Sequence, residues 1–291
     1  MPELPEVEAL VRFLSARASD RVVRSVSVGA ISALKTFSPP PSDLVGAVVV
    51  DARRHGKWVD VVTAAPTGEV LHLVFHLSRA GWLRWYDTLP ATPVRPGKSP
   101  LALRVGLDDG SGFDLTEAGT RKRLAVHVVR DPGDIELVAS LGVDPLGPEL
   151  TVERLGELAA ARNQQLKGLL RDQRQIAGIG NAYSDEILHA ARLSPFALSR
   201  SLSAEEVGRL HAVIQEVLAG ALDAASGRPA AELKDAKRRG MQVHGRTGET
   251  CPVCGDTVRE VSFADSSLQY CATCQTQGRP LADRRMSRLL R

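Results

Sequence analysis

Four cysteines constrain this chain more than any other feature. Cys251, Cys254, Cys271 and Cys274 are its only cysteines, and they form two Cys-x-x-Cys pairs separated by sixteen residues. Two such knuckles at this separation fit a tetrahedral site of four thiolates around one zinc ion. Four protein ligands leave no open position for water, so the expected zinc is structural. A segment as short as residues 245–275 has little core of its own, and the metal then supplies its folding energy. Reduced, unmetallated thiols or redox pairs are the other readings of the same spacing. Clustering of every cysteine in one segment favours metal over disulfides in a reducing compartment.

The rest of the chain reads as ordinary globular protein. Of its 291 residues, 43% are hydrophobic and 24% charged, which allows a sizeable core and more than one domain. No run approaches the roughly 18 consecutive apolar residues of a membrane span. The start, MPELPEVEALVR, is acidic at once and lacks the basic-then-apolar order of a signal peptide. A bacterial-type cytosolic protein with no membrane partner is expected. The net charge of +3 says little, but its distribution says more. Lys234, Lys237, Arg238 and Arg239 form one cluster, and Arg279, Arg284, Arg285, Arg288 and Arg291 crowd the C-terminus. Such ends suit a polyanion, although charge runs are more often solvated surface.

Hydrophobic periodicity divides the chain. Val7, Leu10, Val11 and Leu14 follow helical spacing, with Pro5 suited to a first turn and Glu6 and Glu8 to the positive end of a helix dipole. From about Val22 to Val129, short β-branched runs alternate with turn material such as SPPPSD and APTG, which predicts about eight antiparallel strands in a sandwich or barrel. Residues 1–132 are read as this first domain. Residues 133–150, with Gly142, Pro145, Gly147 and Pro148, read as a connection. Helical periodicity then runs through 151–244, followed by the cysteine segment 245–275 and a basic tail 276–291. The predicted class is multidomain α+β.

The N-terminus is a second chemical candidate. Pro2 is small enough for Met1 to be removed, which would leave a secondary amine. An α-amine has a pKa near about 7.7–8.0, against about 10.4 for lysine, so part of it is neutral and nucleophilic at physiological pH. Attack on an aldehyde carbon gives an iminium, an electron sink suited to elimination from an opened sugar. Glu3 and Glu6 lie beside it as proton donor or acceptor. By themselves these residues equally describe a plain helix start with first-turn acids.

MPELPEVE is similar to the start of the formamidopyrimidine-DNA glycosylase and endonuclease VIII family. RRHGKWV resembles its strand–turn segment with a catalytic lysine. HLSRAGWL resembles its HLGMSG segment, LLRDQRQIAGIGNAYSDEIL its helix–two-turn–helix motif, and VHGRTGETCPVCG with YCATCQ its terminal zinc finger. These blocks occur in the family's order and span residues 2 to 275. The resemblance implies an N-terminal antiparallel β-sandwich, a C-terminal helix–two-turn–helix domain and a zinc-ribbon hairpin. It implies a DNA glycosylase with abasic-site lyase activity in base-excision repair, acting as a monomer on damaged double-stranded DNA, with one structural zinc ion.

Residue by residue, the resemblance makes Pro2 the nucleophile that forms a Schiff base with C1′. Glu3 becomes the acid that opens the sugar, Glu6 a supporting acid, and Lys57 a lysine on a β-turn at the phosphate beside the lesion. Asn181 and the N–H groups after it, with Tyr183, would grip the backbone; a helix N-terminus is a ready anion site. Lys167 is a further phosphate candidate.

Three positions depart from the family pattern. Ser266 stands where a finger arginine clamps phosphate, and one hydroxyl does not replace a bidentate fork; Arg279 is a candidate substitute. Arg79 stands where a methionine fills the gap left by the extruded base. Arg121, Lys122 and Arg123 stand where the family has an arginine–phenylalanine pair. The reading head is therefore basic rather than apolar. These changes motivate two other readings: a damaged-DNA binder with weakened glycosylase activity, or an enzyme acting mainly on abasic sites or unusual adducts.

Overall fold

The computed structural model describes residues 1–282 except Pro96, Lys98, Ser99, Thr120, Ala264 and Asp265. The chain divides into two compact units, Met1–Leu141 with Ala225–Lys234, and Gly142–Ala224 with Asp235–Arg291. The arginines at 284, 285, 288 and 291, read above as part of a basic tail, lie outside the described residues.

The first unit opens with helix α1, Leu4–Ala18. Eight strands follow: β1 Val23–Val28, β2 Val48–His55, β3 Trp58–Ala64, β4 Val70–His76, β5 Gly81–Tyr86, β6 Leu101–Leu107, β7 Gly112–Glu117 and β8 Ala125–Val129. They form two separate four-stranded sheets, ordered β1-β6-β7-β5 and β2-β3-β4-β8. Every pairing is antiparallel. Period-two alternation explains the stacking. Val59, Val61, Leu73 and Phe75 of one sheet meet Leu83, Leu103, Phe113 and Leu115 of the other in a shared core, and the rings of Phe75 and Phe113 lie 6.5 Å apart. The apolar stripe of α1, Val7, Leu10, Val11 and Leu14, enters the same core.

The segment read as a bare connection is partly structured. It contains the short helix α2, Glu136–Ala139, and Ile135 joins Trp58, Val74 and Val129 in a satellite apolar cluster on the outer face of the second sheet. The second unit begins at Gly142 and holds α3 Val152–Ala161, α4 Leu166–Arg171, α5 Asn181–Ala190 and α6 Ala204–Ala225. Thr151 caps α3 by accepting the Arg154 N–H at 3.1 Å, a standard use of its hydroxyl. Leu155, Leu166, Leu170, Ile187, Leu210 and Ile214 fill this core. After α6, residues 225–234 group with the first unit, where Ala225, Ala230 and Leu233 join the sandwich core. Helical periodicity alone had kept this stretch with the second domain. Helix α7, Leu233–Gly240, leads to a hairpin of β9, Val258–Ser262, and β10, Ser267–Cys271, closed by α8, Ala272–Thr276. Among the described residues, no helix is long and apolar enough to cross a membrane.

Candidate active site

The start of α1 is built from the residues that would do the chemistry. Glu3 occupies the N-cap position, and the Glu6 carboxylate accepts the Glu3 N–H at 2.9 Å. That is one half of a capping box, and it fixes the chain direction at Pro2. Pro2 is buried, as are both carboxylates, Glu3 and Glu6 each at 2% exposure. Two acidic groups held this far from water strengthen every electrostatic interaction with a positive centre formed beside them.

Lys57 sits in the two-residue turn Gly56–Lys57 between β2 and β3, closed by the pair His55 and Trp58. Gly56 has φ 56°, the first-position requirement of a tight II′-type hairpin. The lysine is largely buried, at 8% exposure. Its turn is tied to α1. Arg54, itself well buried, donates from Nε to Glu8 Oε2 at 2.9 Å and from Nη1 to the Gly56 carbonyl at 3.4 Å. A charged fork thus bridges the helix that carries Pro2 and the turn that carries Lys57. The sequence reading had given Glu8 only a dipole role.

His76, at the end of β4, was also missed. Burial and the nearby positive Lys57 push its pKa down to about 4. Its ring packs on Trp58 at 4.9 Å, and its Nδ1 accepts the Ser78 N–H at 3.2 Å. The proton of the neutral ring is therefore assigned to Nε2. The HL pair at the head of HLSRAGWL was the available signal. Deeper in the same sheet, Asp60 is fully buried between His55 Nε2 at 3.1 Å and His72 Nδ1 at 2.9 Å.

The two expected reading-head elements project from the same unit. Arg79 is exposed on the turn between β4 and β5. That turn needs Ser78 in a left-handed φ of 53° and a glycine at 81, where a Cβ would lie 2.0 Å from the Leu77 carbonyl oxygen. Arg121, Lys122 and Arg123 are exposed. Glu117 organises them: its carboxylate accepts the N–H groups of Arg123 at 2.7 Å and Leu124 at 3.1 Å. The Lys122 ammonium folds back onto the Glu117 carbonyl, so this side chain is directed inward rather than outward.

In the second unit, the Gly178-Ile179-Gly180 turn leads into α5 at Asn181. Gly178 has φ 92°, which explains the glycine. Gln173, not singled out from the sequence, braces this turn: its Oε1 accepts the Gly178 N–H at 2.9 Å and its Nε2 donates to the Ile179 carbonyl at 2.8 Å. Asn181 donates from Nδ2 to the Ser267 carbonyl of the finger hairpin at 2.8 Å.

Two expected phosphate contacts, Lys167 and Tyr183, are buried in the structure. Lys167 is buried at 6% exposure, and its ammonium donates to Asp185 Oδ1 at 2.5 Å, Ser184 Oγ at 2.8 Å and the Asn181 carbonyl at 3.1 Å. A buried ammonium satisfied in this way holds α4 to α5. The Tyr183 ring is buried, with the Lys237 ammonium 4.5 Å from its centroid. Arg279 is exposed just past α8, and Ser266 closes the finger turn by accepting the Phe263 N–H at 2.7 Å.

The four cysteines converge. Their sulfurs all lie within 4.8 Å of one another, with Cys254–Cys271 at 3.3 Å and Cys251–Cys274 at 3.9 Å. Zn–S bonds of about 2.3 Å in a tetrahedron require sulfur separations of about 3.8 Å, so the donor set fits one zinc ion after side-chain adjustments of up to about 1 Å. Without a cation, burial pushes the Cys271 thiol up to about 11 and the Cys274 thiol up as well. A bound dication reverses that balance and holds the thiolates. The site is structural: all four positions are filled by protein.

Glu186 fastens the finger to α5. Its carboxylate accepts the N–H groups of Gln242 at 2.7 Å, Val243 at 3.0 Å and His244 at 2.8 Å, while His244 Nδ1 lies 2.8 Å from Asp185 Oδ2. Burial dominates over these donors and raises the Glu186 pKa.

Comparison with known proteins agrees across the chain. Residues 1–126 match the formamidopyrimidine-DNA glycosylase N-terminal domain, 141–230 the formamidopyrimidine-DNA glycosylase H2TH domain, and 248–277 a zinc finger found in FPG and IleRS. The formamidopyrimidine-DNA glycosylase of Symbiobacterium thermophilum is 35% identical over 300 residues, covering 98% of this chain and 93% of that one. An uncharacterized formamidopyrimidine-DNA glycosylase-like protein of Mycobacterium tuberculosis is 55% identical over 152 residues, 52% of this chain and 95% of that one. Lactococcus lactis Fpg, solved in complex with DNA containing an abasic site, superposes with a TM-score of 0.80 at 25% identity, covering 94% of this chain and 99% of that one. The chain belongs to the formamidopyrimidine-DNA glycosylase family and is a DNA glycosylase of base-excision repair.

Proposed function

We propose that the chain excises damaged, oxidised bases from double-stranded DNA through the amine of Pro2 and then cleaves the strand at the resulting abasic site. Met1 must first be removed. The Pro2 nitrogen attacks C1′, the bond to the damaged base breaks, and the base leaves with a proton. Glu3 protonates O4′ as the C1′–O4′ bond opens, giving an iminium at C1′. A carboxylate then takes the C2′ proton, the electrons flow toward the iminium, and the 3′ phosphate leaves. Water finally hydrolyses the iminium, releasing the sugar remnant as an aldehyde and freeing the Pro2 amine. Glu6 holds the Glu3 backbone beside the cation. Lys57 holds the phosphate next to the lesion. Neutral His76, with its proton on Nε2, is a second donor beside Lys57.

The supporting observation is the burial of two carboxylates at the capped end of α1, directly beside Pro2. On the DNA side, Asn181 and the first N–H groups of α5 take a backbone phosphate. Arg79 and the exposed Arg121 and Arg123 approach the gap left when the nucleotide is flipped out, and Arg279 adds charge near the finger. The protein acts as a monomer in the bacterial cytosol, at the nucleoid; a four-thiolate zinc site suits that reducing compartment.

Borohydride reduction in the presence of duplex DNA with an abasic site tests the reading. A covalent protein–DNA adduct is expected with N-terminally processed protein. No adduct, or unchanged base excision by a Pro2→Gly variant, contradicts it. Duplex binding is expected to weaken steeply with salt as counterions return to the phosphates.

A further inference from the structure

The zinc site has a neighbour outside its four ligands. His189 lies near the end of α5 and is 4% exposed, and its Nε2 is 3.3 Å from Cys251 Sγ. Cys251 is itself buried at 1% exposure. The distance suits a hydrogen bond between a ring N–H and sulfur. A thiolate bound to zinc carries no proton, so in the loaded finger the imidazole must be the donor.

We propose that His189 is a positioning residue of the zinc site, donating an Nε2–H hydrogen bond to the Cys251 thiolate and thereby anchoring the metal centre to α5. The physical effect is local. A donor aimed at a metal-bound sulfur draws electron density from it, makes it a poorer base and nucleophile, and slows its protonation or oxidation and the release of zinc. The other ligands are held differently: Cys254 and Cys274 are at least partly open to solvent, and the sulfurs of Cys254 and Cys271 meet the backbone N–H groups of Asp256 and Cys274 within their own knuckles, whereas His189 reaches Cys251 from another element.

The second consequence is mechanical. Gln275 Oε1 accepts the Cys271 N–H at 2.9 Å and its Nε2 donates to the Leu193 carbonyl just past α5, at 3.0 Å, so two side chains pin the C-terminal end of this helix to the metal knuckles. Asn181 pins its N-terminal end to the Ser267 carbonyl of the hairpin. Eight residues, about 12 Å of helix, separate Asn181 from His189. One rigid rod therefore links the metal to the residue assigned to a DNA phosphate. The imidazole is buried at 4% exposure. The zinc-thiolate contact gives its Nε2 a partner.

The inference rests on a zinc-loaded finger, so metal content comes first. Full-length wild type, His189→Phe and His189→Gln are purified and each assayed for one zinc per chain. Wild type without zinc overturns the zinc reading itself, and the His189 reading with it. Zinc transfer to an excess of a colorimetric chelator is then timed. Loss of an outer partner of a metal ligand typically costs about 10- to 100-fold in metal affinity. His189→Phe is expected to release zinc faster by a factor in that range, and His189→Gln, which keeps an N–H donor of similar reach, to recover part of the loss. Cobalt-substituted proteins give a readout that packing alone does not move. The thiolate-to-cobalt charge-transfer band should shift to longer wavelength in His189→Phe and return toward wild type in His189→Gln. Unchanged release and an unchanged band in His189→Phe overturn the proposal. So does faster release that is equal in both variants with the band unmoved.

Discussion

The start of α1 and the zinc finger solve the same problem by opposite means. Both hold a few polar side chains in fixed positions. In the first unit the rigidity comes from a packed core. Sheet pairing sets the Gly56–Lys57 turn, the apolar stripe of α1 is sunk between strands, and Arg54 joins helix to turn through Glu8 and the Gly56 carbonyl. In the finger the core is small and split: Val243 and Val258 pack with cysteine side chains, and Val261, Leu268, Tyr270 and Ala272 form a second small cluster. There the order comes from four thiolates, from Glu186 holding three successive N–H groups, and from His189. A helix start and a turn can be fixed by a packed core with a few polar ties, whereas a small hairpin needs a metal.

That contrast can be broken experimentally. The largest effect should follow removal of the metal. Structural zinc supplies about 10–16 kcal/mol of apparent folding energy in small finger domains. Cys271→Ser or strong chelation should therefore unfold the finger and abolish tight DNA binding while leaving the β-sandwich folded. Hydrogen exchange resolved by peptide checks this, and protection lost equally in β3 and β4 would erase the distinction. Next in size is Glu3→Gln, which keeps the shape of the helix start but removes a proton donor. Iminium formation and strand cleavage should fall about 100- to 10,000-fold with zinc content and melting temperature nearly unchanged, as read by single-turnover kinetics of adduct trapping and strand scission and by thermal unfolding.

Glu186→Ala should have a smaller, structural effect. It leaves three buried or half-buried N–H groups without their carboxylate, at a cost on the order of 3 kcal/mol. Denaturant unfolding should show the loss in the second unit, and zinc binding should weaken. Comparable in size at low pH, and absent at neutral pH, is a pH effect in the first unit. The folded His76 pKa, near 4, lies below the ordinary value of 6.5. The unfolded chain then binds more protons between these values, so stability falls as pH drops from 6.5 toward 4 and is fully present above 6.5. His76→Gln should flatten that slope in urea titrations at a series of pH values.

Much of this was legible in the sequence because it is local. Cysteine spacing marks the metal site without any tertiary information. Alternation of β-branched residues marks eight strands, and the order of motifs marks the family. What stayed hidden depends on which way a side chain turns. Lys167 reads as a cation on a helix beside a DNA motif, yet Asp185, eighteen residues further on, draws it inward. Tyr183 packs into the core of the second unit. Lys122 looks like its neighbours Arg121 and Arg123 but bends to the Glu117 carbonyl. The Glu8–Arg54 bridge spans 46 positions, and the contact of His189 with Cys251 spans 62. No periodicity or motif carries information over such separations. Residues 225–234 have helical flanks and pack with the sandwich for the same reason: burial of Ala230 and Leu233 in that core outweighs continuity with α6.

The assignment of the chemistry to Pro2 is tested most directly by locating the covalent bond. The borohydride-reduced adduct with abasic-site DNA is digested and sequenced by mass spectrometry. The account requires the sugar remnant on the N-terminal nitrogen of a peptide beginning at Pro2, with Met1 absent. A remnant on Lys57 or any other lysine, or reduction of an adduct in protein that retains Met1, would contradict it.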